Sequence, residues 1–300
     1  MRQDSRLSKP INRVAMVAAA MLQLMSSPIA QAATADDKLY VNFLRGSSTS
    51  IDASGGPPPW SLGASTKIIP ALTLARRWET IAAGRDLDLY QVSLGLVIAQ
   101  EISPHWGLVA VQQSSWRAAE GTKFSLSKQV AHSGVFLASY RPRGDLRFRV
   151  SAGMVVTLQN QRTHLRPAAG IFYESLDRGF YGELGFPYSN LIWRGHRGLE
   201  YGLSAQIDIH RYHLNAQDWL GAPSGAEYLR LSHVYLGPAV SAPLTSITYL
   251  NFKLGADLLR STEFADENLD RISGAKTHPP AAWFVKVGVS VRFGNTAKSP

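Results

Sequence analysis

The sequence of 300 residues contains no cysteine. That excludes a disulfide framework, a thiolate metal centre, a cysteine nucleophile and a lipid-modified N-terminal cysteine. Charged residues are scarce at 18%, below the usual quarter, and no run of Lys or Arg concentrates the formal net charge of +9. A nucleic-acid-binding face is therefore not expected. No segment after the N-terminal region approaches the ~18 uninterrupted apolar residues that a membrane-spanning helix needs. Gly-rich phosphate loops and nucleotide fingerprints are missing too, so no cofactor is expected.

What is present begins with a leader. Arg6, Lys9 and Arg13 form a basic region, Val14 to Met25 an apolar stretch, and Ala30-Gln31-Ala32 a small-x-small cleavage signal. Residues 1–32 read as an export signal, with Ala33-Thr34-Ala35 as a second cleavage possibility. The leader carries about +3 of the charge, leaving about +6 on the mature chain. Anionic lipid headgroups and lipopolysaccharide account for such an excess as well as nucleic acid does.

The mature chain shows period-two alternation. Trp283, Val285, Val287, Val289, Val291 and Phe293 alternate with Phe284, Lys286, Gly288, Ser290 and Arg292. Leu146 to Leu158 and Leu199 to Ile209 repeat the pattern, with weaker versions at Tyr90 to Ile98, Phe180 to Phe186 and Leu250 to Leu258. Further candidates lie near 62–78, 105–117, 129–141, 163–175 and 226–241. Runs this long exceed the ~5 to 6 residues usual for a soluble strand and match the ~9 to 11 of a tilted transmembrane strand.

The fold expected is an all-β, up-and-down antiparallel transmembrane β-barrel of roughly 12 strands, with 10 or 14 as variants and a periplasmic β-sandwich as the alternative. Residues 60–293 would form the barrel. Residues 33–59, which end in the Ser-, Gly- and Pro-rich stretch Ser47 to Pro59, read as a flexible lead-in, and 294–300 as a tail. Glycines 95, 153, 202, 255 and 288 fall on the polar face, where a crowded lumen favours small residues. Trp106, Trp116, Trp193, Tyr201, Tyr228 and Trp283 suit interfacial girdles.

The last strand, ending in Phe293, resembles the signal by which outer-membrane barrels are recognised by the assembly machinery, although Gly294 to Pro300 follow it. Ala169-Gly170-Ile171-Phe172-Tyr173 and Gly185-Phe186-Pro187-Tyr188-Ser189 resemble a family of exported β-barrels known only as a domain of unknown function. The resemblance implies the fold and residence in a Gram-negative outer membrane, and transfers no catalytic residue.

Three groups of residues could carry chemistry. His132-Ser133 are neighbours and in a strand point to opposite faces, so a serine hydrolase pair is not expected there, although barrel lipid hydrolysis is the third functional reading. His210 and His213 have helical ligand spacing but sit at a strand end, and read as interfacial residues. Glu263, Asp266, Glu267 and Asp270 lack the spacing of a calcium loop. No metal site follows.

The lumen remains. If the apolar faces meet lipid, Arg147, Arg149, Glu174, Glu183, Glu200, Asp208, Lys253, Asp257, Lys286 and Arg292 point inward. Charges of both signs in a narrow bore suit a porin-like channel for small polar solutes, or pair across it and close it. The expected protein is not an enzyme.

Overall fold

The computed structural model describes residues 37–46, 48–57, 59–81, 85–142, 147–160, 162–185, 188–214 and 222–293. The expected signal peptide and C-terminal tail lie outside them.

Seventeen strand segments follow in chain order: β1 Asp37–Gly46, β2 Thr49–Gly55, β3 Trp60–Leu62, β4 Thr66–Ile81, β5 Arg85–Glu101, β6 Trp106–Ala119, β7 Val130–Tyr140, β8 Phe148–Gln159 and β9 Arg162–Glu174. They continue with β10 Phe180–Gly185, β11 Tyr188–Arg194, β12 Glu200–His213, β13 Tyr228–Pro243, β14 Thr248–Asp257, β15 Ser261–Ala265, β16 Arg271–Thr277 and β17 Ala282–Phe293. Three staves consist of two segments each. β2 and β3 both pair with β4, β14 and β15 both pair with β13, and β16 continues into β17. The result is an antiparallel barrel of 14 staves.

Closure is made by β1 and β17, registered from Asp37↔Phe293 to Gly46↔Phe284. Both chain ends of the barrel therefore share one rim, called here the terminal rim. In a bilayer, this closure pairs the ladder N–H and C=O groups of β1 and β17 that an open edge would expose to hydrocarbon.

Burial is inverted relative to a soluble protein. On β17, Trp283, Val285, Val287 and Val289 are 75%, 37%, 38% and 40% exposed, whereas Phe284 and Ser290 on the alternate face are buried. Leu94 and Ile98 on β5, Phe136 on β7, Met154 on β8 and Leu250, Phe252 and Leu254 on β14 repeat the exposed apolar face. A sandwich would bury that face. The chain is instead a membrane-spanning β-barrel.

Near the terminal rim the outer surface carries aromatic contacts on successive staves: Trp106 with Tyr140 at 4.9 Å, Phe180 with Trp193 at 5.0 Å, and Trp193 with Tyr201 at 6.5 Å. These rings are suited to headgroup depth. Tyr228 does not join them; it is fully buried at the opposite rim. Trp116 donates its indole N–H to Gln129 at 2.8 Å beside the one-turn helix Leu126–Gln129.

The expected lead-in is corrected. Within residues 33–59, Asp37–Gly46 and Thr49–Gly55 are barrel strands, so the barrel starts at Asp37 rather than Trp60; the all-β barrel expected is the one found, with 14 staves, the larger of the two variants to the roughly 12 expected. Val41 and Phe43 are exposed while Leu44, Ser50 and Ser54 are buried; this alternation is short and is masked by the Gly and Pro residues that follow.

The reason for the inward glycines is also revised. A Cβ on Gly202 would lie 1.9 Å from the Leu191 carbonyl oxygen, and one on Gly255 2.1 Å from that of Leu236. Both are required by close approach of the neighbouring strand's backbone, as is Gly153, rather than by side chains crowding the lumen. Gly288 does face a side chain, Asn42.

Candidate functional site

Toward the rim opposite the termini, two opposing walls of the barrel meet. The far half of β12 turns inward until His213 forms a parallel bridge with Ala118 of β6. The Thr122 hydroxyl donates to the His213 carbonyl at 3.4 Å. Above and around this contact, Leu87, Leu89 and Ala119 from one wall pack on Tyr212, Leu214, Ala226, Leu229, Leu231 and Phe264 from the other. These residues form an apolar plug that narrows the barrel toward this rim.

Beneath the plug lies a charged layer. Arg77 of β4 donates to Asp208 of β12 at 2.5 Å and lies 3.9 Å from Glu79. His233 of β13 is hydrogen-bonded to Asp257 of β14 at 2.7 Å and lies 3.6 Å from Glu79; Arg260 is 3.7 Å from Asp257. His210 contacts Asp208. β4 and β12 stand on opposite sides of the barrel order, so this network spans the bore. Charges buried this deeply are costly unless paired, and each of these has a partner of opposite sign.

Below and beside this layer is a chamber of about 580 Å³. Its lining includes Arg77, Arg117, Arg166, Arg211, Arg230, Lys253, Lys286 and Arg292 against Asp52, Glu183, Glu200 and Asp208, an excess of basic groups. Lys253 donates to Ser204 at 2.8 Å and stands in register with Lys286, which is 3.6 Å from Asp52. Arg292 makes a two-pronged contact with Glu200, at 3.2 and 2.8 Å, and lies over the Tyr249 ring at 3.8 Å. Hydroxyl and amide ladders complete the wall: Gln91 in the lining to the buried Ser93 and on to Ser115 at 2.9 and 2.8 Å, and Ser241 to Asn251 to Ser290 at 2.8 and 2.9 Å. These small polar groups can exchange partners with a bound solute at little cost.

Of the ten charges expected inside, Glu183, Glu200, Asp208, Lys253, Lys286 and Arg292 line the chamber. Asp257 is fully buried under His233. Glu174 accepts from Arg194 at 2.5 Å. Arg149 lies over the Phe172 ring at 5.1 Å, and Arg147 sits in the turn leading into β8. Sequence reasoning passed over Arg77, Glu79 and Arg117, the cross-lumen partners. Their signal was present, since Ala71, Thr73, Ala75, Arg77 and Glu79 continue one small or polar face of β4.

Of the two histidines read as interfacial, His213 is buried and His210 is half-buried. His210 contacts Asp208, and His213 packs edge-on against Tyr228 at 5.3 Å. Ser133 lines the chamber while His132 is exposed outside, where its Nδ1 lies 2.8 Å from the Ser114 hydroxyl. Gln112 donates to that hydroxyl at 2.8 Å. No acidic side chain is hydrogen-bonded to His132 among the described residues. In the acidic cluster, Glu263 pairs with Lys276 at 2.6 Å and Arg230 at 3.1 Å, and Asp270 pairs with Arg162 at 2.8 Å. Among the described residues no three His, Asp or Glu side chains are grouped to hold a metal ion.

No family model matches the sequence, and no curated protein matches it. The family likeness of Ala169–Tyr173 and Gly185–Ser189 thus stays a resemblance. Among solved structures, the toluene transporter TodX of P. putida aligns at 9% identity and a TM-score of 0.41, covering 90% of this chain and 94% of that one. The monoaromatic hydrocarbon channel CymD aligns at 10% and 0.38, covering 93% and 97%. The β domain of the Bordetella autotransporter BrkA aligns at 11% and 0.32, covering 85% and 97%.

Proposed function

We propose that the protein is a porin-like barrel of a Gram-negative outer membrane that admits small polar solutes, preferentially anions, to its internal chamber. The observation that carries this reading is the chamber of about 580 Å³ with its excess of Arg and Lys. A water-filled bore lined by one sign of charge concentrates the opposite ion. The apolar plug and the Arg77–Asp208 layer act as a constriction, so passage along the axis is small and intermittent rather than that of a wide pore. The apolar belt and aromatic girdle support placement in a bilayer, and the export leader and the family resemblance support the outer membrane. On this reading the lumen charges select and do not make bonds. Bilayer lipids, lipopolysaccharide and the assembly machinery are the partners.

The purified, refolded protein in a planar bilayer tests it. Brief openings of low conductance with anion preference are expected, and larger ones once Arg77 and Asp208 are both replaced by alanine. Silence at all voltages in both proteins overturns the reading in favour of a barrel that acts through its loops.

A further inference from the structure

The barrel wall is incomplete on one side. β9 has 13 residues and β12 has 14, yet the hairpin between them, β10 and β11, has only 6 and 7. β10 pairs with β9 only from Gly170 to Glu174, and β11 pairs with β12 only from Glu200 to Gln206. Among the described residues, no strand therefore pairs with the free edges of 162–169 on β9 and 207–212 on β12, and His213 beyond them bridges to Ala118 of β6. The window is bridged at its top, where Arg162 makes a two-pronged contact with Asp270 at 2.8 and 3.0 Å and Asn160 contacts the Glu267 carbonyl.

Because β12 turns inward, its two faces part company. Asp208 and His210 look across to β4, whereas Ile207, Ile209 and Arg211 line the chamber on the window side, with Arg211 3.4 Å from Gln159 of β8. Facing them from β9 are His164 and Arg166. Arg211 lies within electrostatic range of Arg166 and Arg230, and His164 within range of all three. Among the described residues neither His164, Arg166 nor Arg211 is in an ion pair. The same chamber continues to Lys253 and Arg292 near the terminal rim.

We infer that this window is a lateral binding site for a phospholipid of net negative charge, which places its phosphate on Arg166 and Arg211, with no choline cation beside them, and its upper chain against Ile207 and Ile209. Two features combine to favour a lipid over a dissolved anion. The opening faces the side of the barrel, and its floor is apolar. Guanidinium groups suit a phosphate because their planar fork offers two parallel donors. The inference goes beyond the solute reading above and does not depend on conductance.

The test places a benzophenone amino acid at Ile209 in the full-length protein, reconstituted into vesicles containing equal amounts of phosphatidylglycerol and phosphatidylcholine. Photocrosslinking is expected to favour phosphatidylglycerol by roughly tenfold and to lose that preference in Arg166→Gln/Arg211→Gln. Equal labelling of both lipids overturns the site, since ordinary boundary lipid behaves so. Loss of the phosphatidylglycerol adduct in excess inorganic phosphate overturns the lipid assignment in favour of a free anion. Should the double variant fail to fold by heat-modified migration, the comparison of the two lipids in the parent protein still decides.

Discussion

Arg77 and Asp208 meet across the lumen 2.5 Å apart, although 131 residues separate them in sequence and their staves stand on opposite sides of the barrel. Both side chains are largely buried, at 10% and 14% exposure. Removing one partner leaves a charge stranded, so Arg77→Ala is expected to destabilise the barrel by about 3 to 5 kcal/mol, read as a lower urea midpoint on a detergent gel. Arg77→Met/Asp208→Leu should recover most of the loss. If it recovers none, the pair is not the source of the effect.

Gly255 of β14 lies against the backbone of β13, where Gly237 reciprocates with its own close approach. Gly255→Ala must push the two strands apart, at a cost of about 1 to 3 kcal/mol. Gly95, whose Cβ would meet only ordinary contacts at 3.6 Å or more, is the control and should tolerate alanine. Equal effects at the two sites would contradict the close-packing account.

Val287 stands midway along the exposed face of β17, between Val285 and Val289. Replacement by arginine places a charge in hydrocarbon and should cost about 2 to 4 kcal/mol in a bilayer while leaving the detergent-folded barrel nearly unaffected. A soluble sheet face would show no such dependence on the bilayer.

Lys253 and Lys286 stand in register on neighbouring strands inside the chamber. Exchanging both for glutamate should move the reversal potential in a salt gradient from the anion side toward the cation side. An unchanged reversal potential would place the ion path elsewhere.

The sequence reveals the alternation of β17, β12 and β8 because lipid facing is uninterrupted there and the period-two pattern runs long. β1 and β2 escape notice because their alternation is short and runs into Gly55, Gly56 and Pro57. The inward face of the lumen is legible strand by strand, which is why six of ten expected charges line the chamber. What local pattern cannot show is contact between opposite walls. The bend that sends His213 to Ala118 depends on the inequality of β10–β11 with β9 and β12, and only pairing in three dimensions exposes it. Arg77 reads as a solvated charge until β12 arrives beside it.

The central claim is that opposite walls meet and narrow the bore where β12 touches β6. Because the chain has no cysteine, Ala118→Cys/His213→Cys introduces a single thiol pair at two positions bridged in register. Backbones that close fall within the ~4.4 to 6.8 Å Cα separation a disulfide accepts. Mild oxidation of the folded protein in vesicles should join the two, seen as a shift on a denaturing gel. Two thiols that stay free and react with a water-soluble maleimide would show an open bore and contradict the account.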